Sequence, residues 1–135
     1  MNKDLLLDFV NYYLMYASDV VTADGTDIFR NNMPDDLDNC VGIFEFLGVS
    51  DFTSNVGNRS IQVMLRNTDY DTAKEKIWSL FDLIYKPESD VRIVNLTATR
   101  WAIIKARNFP YLLQQDETGR FIFMFIMGVV TYRDE

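Results

Sequence analysis

The feature that most constrains this chain is the uninterrupted apolar run from Phe121 to Val130, Phe-Ile-Phe-Met-Phe-Ile-Met-Gly-Val-Val. Rich in aromatic and branched residues and well short of the roughly 18 needed to span a bilayer as a helix, it reads as a strand. Gln115-Asp116-Glu117-Thr118-Gly119-Arg120 directly before it is turn-forming, and Leu112-Leu113 precede the turn, so a hairpin is expected to close the fold. A strand apolar on both pleat faces does not suit a one-sided surface. One face is therefore expected to cover helices, and the other to meet another strand layer or another subunit.

The remaining elements follow from spacing. Leu5, Leu6, Phe9, Tyr12, Tyr13, Tyr16 and Val20 share one helical stripe, predicting a first helix over about 3–20. Asp24-Gly25 marks a turn, 28–30 a short strand, and Cys40–Leu47 a longer one rich in β-formers. Residues 48–58 are small and polar and are expected to form a long loop. Arg59–Arg66 alternates, with Ile61, Val63 and Leu65 facing one side and Ser60, Gln62, Met64 and Arg66 the other. Thr68 is the expected cap of a second helix, which carries the stripe Tyr70, Ala73, Ile77, Leu80, Phe81 and Ile84 and closes at Pro87. Later strands are expected at about 91–97, 100–107, 109–115 and 120–132. The order implies an α+β fold: an antiparallel or mixed sheet of about five to six strands with two helices packed on one face, in a single domain over 1–135.

Composition narrows the function. With 13 Lys+Arg against 20 Asp+Glu and no histidine, the formal charge is −7, which opposes a phosphate backbone; specific nucleic-acid binding is not expected. No membrane or targeting segment is expected, and one cysteine gives no sign of an oxidising compartment, so the chain reads as intracellular. The absence of histidine removes the commonest neutral-pH proton carrier and the commonest zinc nitrogen ligand. Cys40, on an apolar strand without a histidine to activate it, reads as a small core residue. Asp24, Asp27, Asp35, Asp36 and Asp38 form an acidic loop cluster whose spacing matches no EF-hand, and solvated turns or a subunit contact account for it better than a cation would. The scattered glycines build no phosphate loop. No cofactor, metal or catalytic residue is assigned. Arg59, Arg66, Arg100 and Arg107 could lock neighbouring subunits through carboxylate contacts or could decorate an ordinary polar strand face.

Arg59-Ser60-Ile61-Gln62-Val63-Met64-Leu65-Arg66, followed by Asp69-Tyr70-Asp71-Thr72-Ala73 opening a helix, resembles the middle of the small minor capsid and tail completion or tail terminator proteins of tailed bacteriophages. The closing hairpin with Val130-Thr131-Tyr132-Arg133 and the amino-terminal helix before a short strand and Pro34 agree in order over nearly the whole length. The chain departs from that pattern at Phe125-Ile126-Met127, where a polar residue is frequent in the last strand. The resemblance implies a non-enzymatic virion part of the tail or neck, assembled in the bacterial host cytoplasm. It would form a six-fold homo-oligomeric ring at the head-proximal end of the tail tube, contacting the major tail tube protein and the head connector. Its expected contact residues are the strand residues Arg59, Gln62, Met64 and Arg66, taken as outward, together with Phe52 in the 48–58 loop, Asp35 and Asp36 in the acidic loop, and Arg120. The alternative from another class is an α+β adaptor or small-ligand-binding module with an apolar pocket between helices and sheet.

Overall fold

A computed structural model describes residues 5–50, 56–85, 92–95 and 101–132. The elements are α1 (Leu5–Tyr16), β1 (Ile28–Arg30), β2 (Cys40–Ser50), β3 (Val56–Asn67), α2 (Tyr70–Asp82), β4 (Arg92–Asn95), β5 (Trp101–Ala106), β6 (Tyr111–Gln115) and β7 (Phe121–Tyr132). The apolar run is continuous because β7 is interior to the sheet. It pairs with β3 along one edge and with both β5 and β6 along the other, in the order β1-β2-β3-β7-β5-β4. The sheet is mixed, as β1 runs parallel to β2 and every other pairing is antiparallel. Seven strands fill six positions in the sheet because β5 and β6 lie end to end along the same side of β7. At the break, Arg107 N–H donates to the Ile126 carbonyl at 2.9 Å, and the Asn108 side-chain oxygen accepts from Ile126 N–H at 2.9 Å, standing in for strand backbone.

The alternation places the core on one face. Register sets Val63 beside Phe125 and Ile43, and Leu65 beside Phe123 and Val41; all six are 3% exposed or less. Onto this face α2 lays Ala73, Ile77, Leu80 and Phe81, the Phe81 ring meeting Phe125 edge-on at 5.4 Å. Leu5, Phe9, Val10 and Tyr13 of α1 join the same cluster, and Tyr12 Oη donates to the Leu83 carbonyl at 3.3 Å, tying the two helices. The α+β reading with two helices over a mixed sheet stands as expected.

Several boundaries differ. The first helix stops at Tyr16, after which Ala17–Val20 turn; Met15 and Tyr16 are exposed. The cap of α2 is Asp69, whose carboxylate accepts from Thr72 N–H at 2.9 Å, because a charged oxygen satisfies the first-turn donors better than the Thr68 hydroxyl. That helix ends at Asp82, before Pro87. The 48–58 loop is shorter than expected: β2 continues to Ser50 and β3 begins at Val56, since β7 extends to Tyr132 and offers partners to the small polar residues.

The second sheet face, expected to meet a further layer or subunit, is covered in part by the chain itself. Ile122 is 6% and Met124 3% exposed within one chain. Parallel pairing of β1 and β2 forces residues 31–39 to return across this face, with Met33 and the Asn32 carbonyl lying over Gly42. At the other end the Arg107 guanidinium lies over Gly128.

Candidate functional site

Register Arg66↔Ile122 puts Arg120 diagonally across from Arg66 on the outer face, so two arginines side by side reach the returning loop. Arg66 Nε donates to the Leu37 carbonyl at 3.1 Å and its Nη2 to the Pro34 carbonyl. Arg120 Nη1 donates to the same Leu37 carbonyl at 3.0 Å and to the Asp35 carbonyl at 2.6 Å. Both are buried, at 4% and 7% exposure. Arg66 and Arg120, expected to point outward at partners, are thus internal clamps: a loop carbonyl can be satisfied only from the sheet beneath it.

Asp116 aims Arg120. Its Oδ2 accepts from Arg120 Nε at 2.7 Å, while Oδ1 accepts from Arg120 N–H at 2.9 Å and Thr118 N–H at 3.0 Å. Partial burial works against the charge, but these donors outweigh it and bring the carboxyl down to about 2. Gly119 at φ +85° closes the turn in the left-handed region that glycine adopts without strain. Asp38 Oδ1 stands 3.8 Å from Arg120 Nη1.

The other candidates separate. Gln62 and Met64 do lie on the outer face, where Gln62 Nε2 donates to the Met124 sulfur at 3.3 Å; both are half-buried. Arg59 does not share that face. Its pleat parity follows Ile61, and it pairs with Glu45 at 3.6 Å beside the core. Asp35 and Asp36 are exposed at the loop's crest. Phe52 and Arg100 lie outside the described residues.

The acidic cluster does not converge. Asp27 caps its own turn, accepting from Thr22 N–H at 2.9 Å and Ala23 N–H at 3.1 Å; burial resists its charge, yet these bonds hold its carboxyl below the usual range. Asp24 pairs with Arg30 at 3.5 Å. Among the described residues no three carboxylate or cysteine side chains are placed to hold a metal ion. Cys40 is buried at 4% exposure; burial pushes its thiol up, against the charges of Arg66 and Arg120.

One depression among the described residues, of about 110 Å³, lies between Val20, Cys40, Arg66 and Lys76. That is below the range of roughly 300–1,000 Å³ for small-molecule sites. Another, about 550 Å³, is an open polar hollow at Asp35, Gln114 and Glu117. Neither is the apolar pocket that an adaptor or ligand-binding module would use. The sequence reading missed an exposed apolar edge: Phe109 is 58% exposed, and Tyr111, Leu112 and Leu113 are 44%, 41% and 41%. Its signal was Tyr-Leu-Leu behind Pro110, on a strand that pairs with β7 alone among the described residues.

The clamp organises the chain's own loop and brings no acid–base pair to a cleft. Compared with known families, residues 17–130 match the bacteriophage tail terminator protein family. The chain belongs to that family. It is accordingly a structural protein of the phage tail and a virion component. Within the tail terminator match fall β1–β3, α2, and the arginine pair with the loop it holds. No curated protein matches the chain. No helix among the described residues is long and apolar enough to cross a membrane.

Proposed function

We propose that this protein ends tail-tube growth by assembling as a closed ring, six copies around, on the head-proximal end of the tube, where it faces the head connector and performs no catalysis. Membership of the tail terminator family is the observation that carries the reading. The fold is compatible with it. The sheet's terminal strands, β1 and β4, run in the same direction and differ in sequence, so the two ends of the sheet offer the unlike patches that a head-to-tail contact joins at a fixed rotation. The exposed Asp35 and Asp36 and half-buried Gln62 and Met64 are candidate contacts with neighbouring copies, the tail tube protein or the connector. Arg66 and Arg120 serve by fixing the loop that carries the two aspartates. A formal charge of −7 disfavours adhesion to DNA passing through the ring.

Electron microscopy of the purified protein mixed with tail tubes tests the reading. Rings capping one tube end, and tubes that no longer lengthen, are the expected result; tubes that stay uncapped and keep growing would overturn it.

A further inference from the structure

Residues 32–38 lie on the sheet without belonging to it. No residue from 31 to 39 is buried: Met33, Pro34 and Leu37 are half-buried and the others exposed, so little apolar surface holds the segment down. Among the described residues its backbone makes one bond to other backbone, Leu37 N–H to the Pro34 carbonyl at 3.4 Å, which is internal. The flanks are anchored. Asn31 N–H donates to the Ile43 carbonyl at 2.7 Å, and the Asn39 side-chain oxygen accepts from Thr68 N–H at 3.3 Å. Between these anchors the hydrogen bonds to the rest of the chain, among the described residues, come from the Arg66 and Arg120 guanidinia.

The Cys40 thiol lies directly beneath. Arg66 Nη2 stands 3.5 Å from the Cys40 sulfur and also donates to the Pro34 and Leu37 carbonyls, so one nitrogen joins the thiol to the segment that covers it. Arg120 has a second set of ties, to the turn between β6 and β7. There the Asp116 carboxylate takes Arg120 Nε and N–H together with the Thr118 N–H and hydroxyl. The open hollow lined by Asp35 and residues 114–118 admits solvent to this seam, and Arg120 bridges it.

We infer that residues 32–38 are a strap that lifts from the sheet as one unit while the core stays folded, and that the β6–β7 turn governs it through Arg120. Lifting breaks the bonds from the two guanidinia and uncovers Cys40 and Gly42, leaving the helices and the strand ladders in place. Asp116 sets how often this happens, since a guanidinium no longer held at Nε can turn to water and release the Asp35 and Leu37 carbonyls. The turn and the strap's exposed aspartates are therefore linked. A contact that draws Asp116 from Arg120 loosens the strap, and a contact that holds the strap steadies the turn. This motion belongs to a single chain and is independent of ring assembly.

The thiol reports it. Labelling of Cys40 in the folded full chain by an aromatic disulfide reagent is expected to be nearly independent of urea below the unfolding transition, because lifting the strap exposes little surface. It should also be far faster than labelling of a core cysteine, Val63→Cys in a Cys40→Ala background. Asp116→Asn should speed Cys40 labelling by at least about tenfold, the factor for losing one charge-assisted bond. Ile77→Val, which weakens the core on the opposite face of the sheet, should speed labelling of the core cysteine and leave Cys40 unchanged. Cys40 labelling with the urea slope of global unfolding would overturn the inference. So would a rate that Asp116→Asn leaves unchanged, which would mean that the reagent enters by the depression of about 110 Å³ beside the thiol. The urea slope is read on the parent chain, so it decides the matter even where the core cysteine variant fails to fold.

Discussion

Arg66 and Arg120, one on β3 and one opening β7, donate to a single acceptor, the carbonyl oxygen of Leu37, at 3.1 and 3.0 Å. The shared oxygen makes the two side chains one device. Each guanidinium is desolvated, and each orphaned loop carbonyl would cost more than its bond contributes.

Removing either arginine is expected to destabilise the protein by about 1.5–3 kcal/mol, the range for hydrogen bonds that involve a charged group. In a double-mutant cycle, R66A and R120A together should cost less than the sum of the singles, since the first loss already frees residues 34–37 from the sheet. Urea denaturation of the four proteins measures this. Strict additivity would mean that the two arginines hold separate pieces of chain.

Asp116 predicts how stability responds to acid. Its folded carboxyl titrates near 2, below an unfolded aspartate at about 3.9, so its contribution is complete above about pH 4 and disappears as pH falls toward 2. The melting temperature of the parent should exceed that of Asp116→Asn at neutral pH, and the gap should narrow steadily between about pH 4 and 2. A gap that is constant across this window would show that the charge does not matter.

Gly42 is required by the loop. A Cβ there would collide with Met33 Cγ and lie 2.7 Å from Phe44 Cε2 and 2.9 Å from the Asn32 carbonyl oxygen. Met33 can rotate away but the backbone oxygen cannot. Gly42→Ala is therefore expected to cost about 1–3 kcal/mol, with Met33→Ala recovering only part of it. Chemical denaturation of the single and double variants reads both quantities; full recovery would place the clash at the methionine alone.

These residues show which parts of the fold could be read from sequence. The alternation at Ile61, Val63 and Leu65 and the stripe at Ala73, Ile77 and Leu80 are local periodicities, and each emerges in the core. The same alternation assigned Arg66 to the outer face correctly but gave no hint of a cover, because that depends on β1 pairing parallel to β2 and on the path back between them. Arg59 was misassigned where its parity with Ile61 was readable. The Arg66–Arg120 pair depended on the β3–β7 register, which no local pattern encodes. The interior position of β7 accounts for part of the two-faced apolar run: helices cover one face, and on the other Ile122 and Met124 are buried within the chain while Gln62, Met64, Ile126 and Val130 stay half-buried.

Tyr13 is fully buried, and among the described residues its hydroxyl has no hydrogen-bond partner. Burial, and secondarily the neighbouring Tyr12, push its phenol well above the usual tyrosine range, so it stays neutral wherever the fold persists. A buried hydroxyl without a partner has lost its water and gained nothing in exchange. Tyr13→Phe keeps the ring that packs edge-on against Tyr12 at 5.9 Å and deletes only the oxygen. The variant is expected to be more stable by about 1 kcal/mol, the low end of the penalty for an unsatisfied polar group. That would appear as a melting temperature several degrees higher. A variant less stable than the parent would show that this oxygen forms a bond worth keeping.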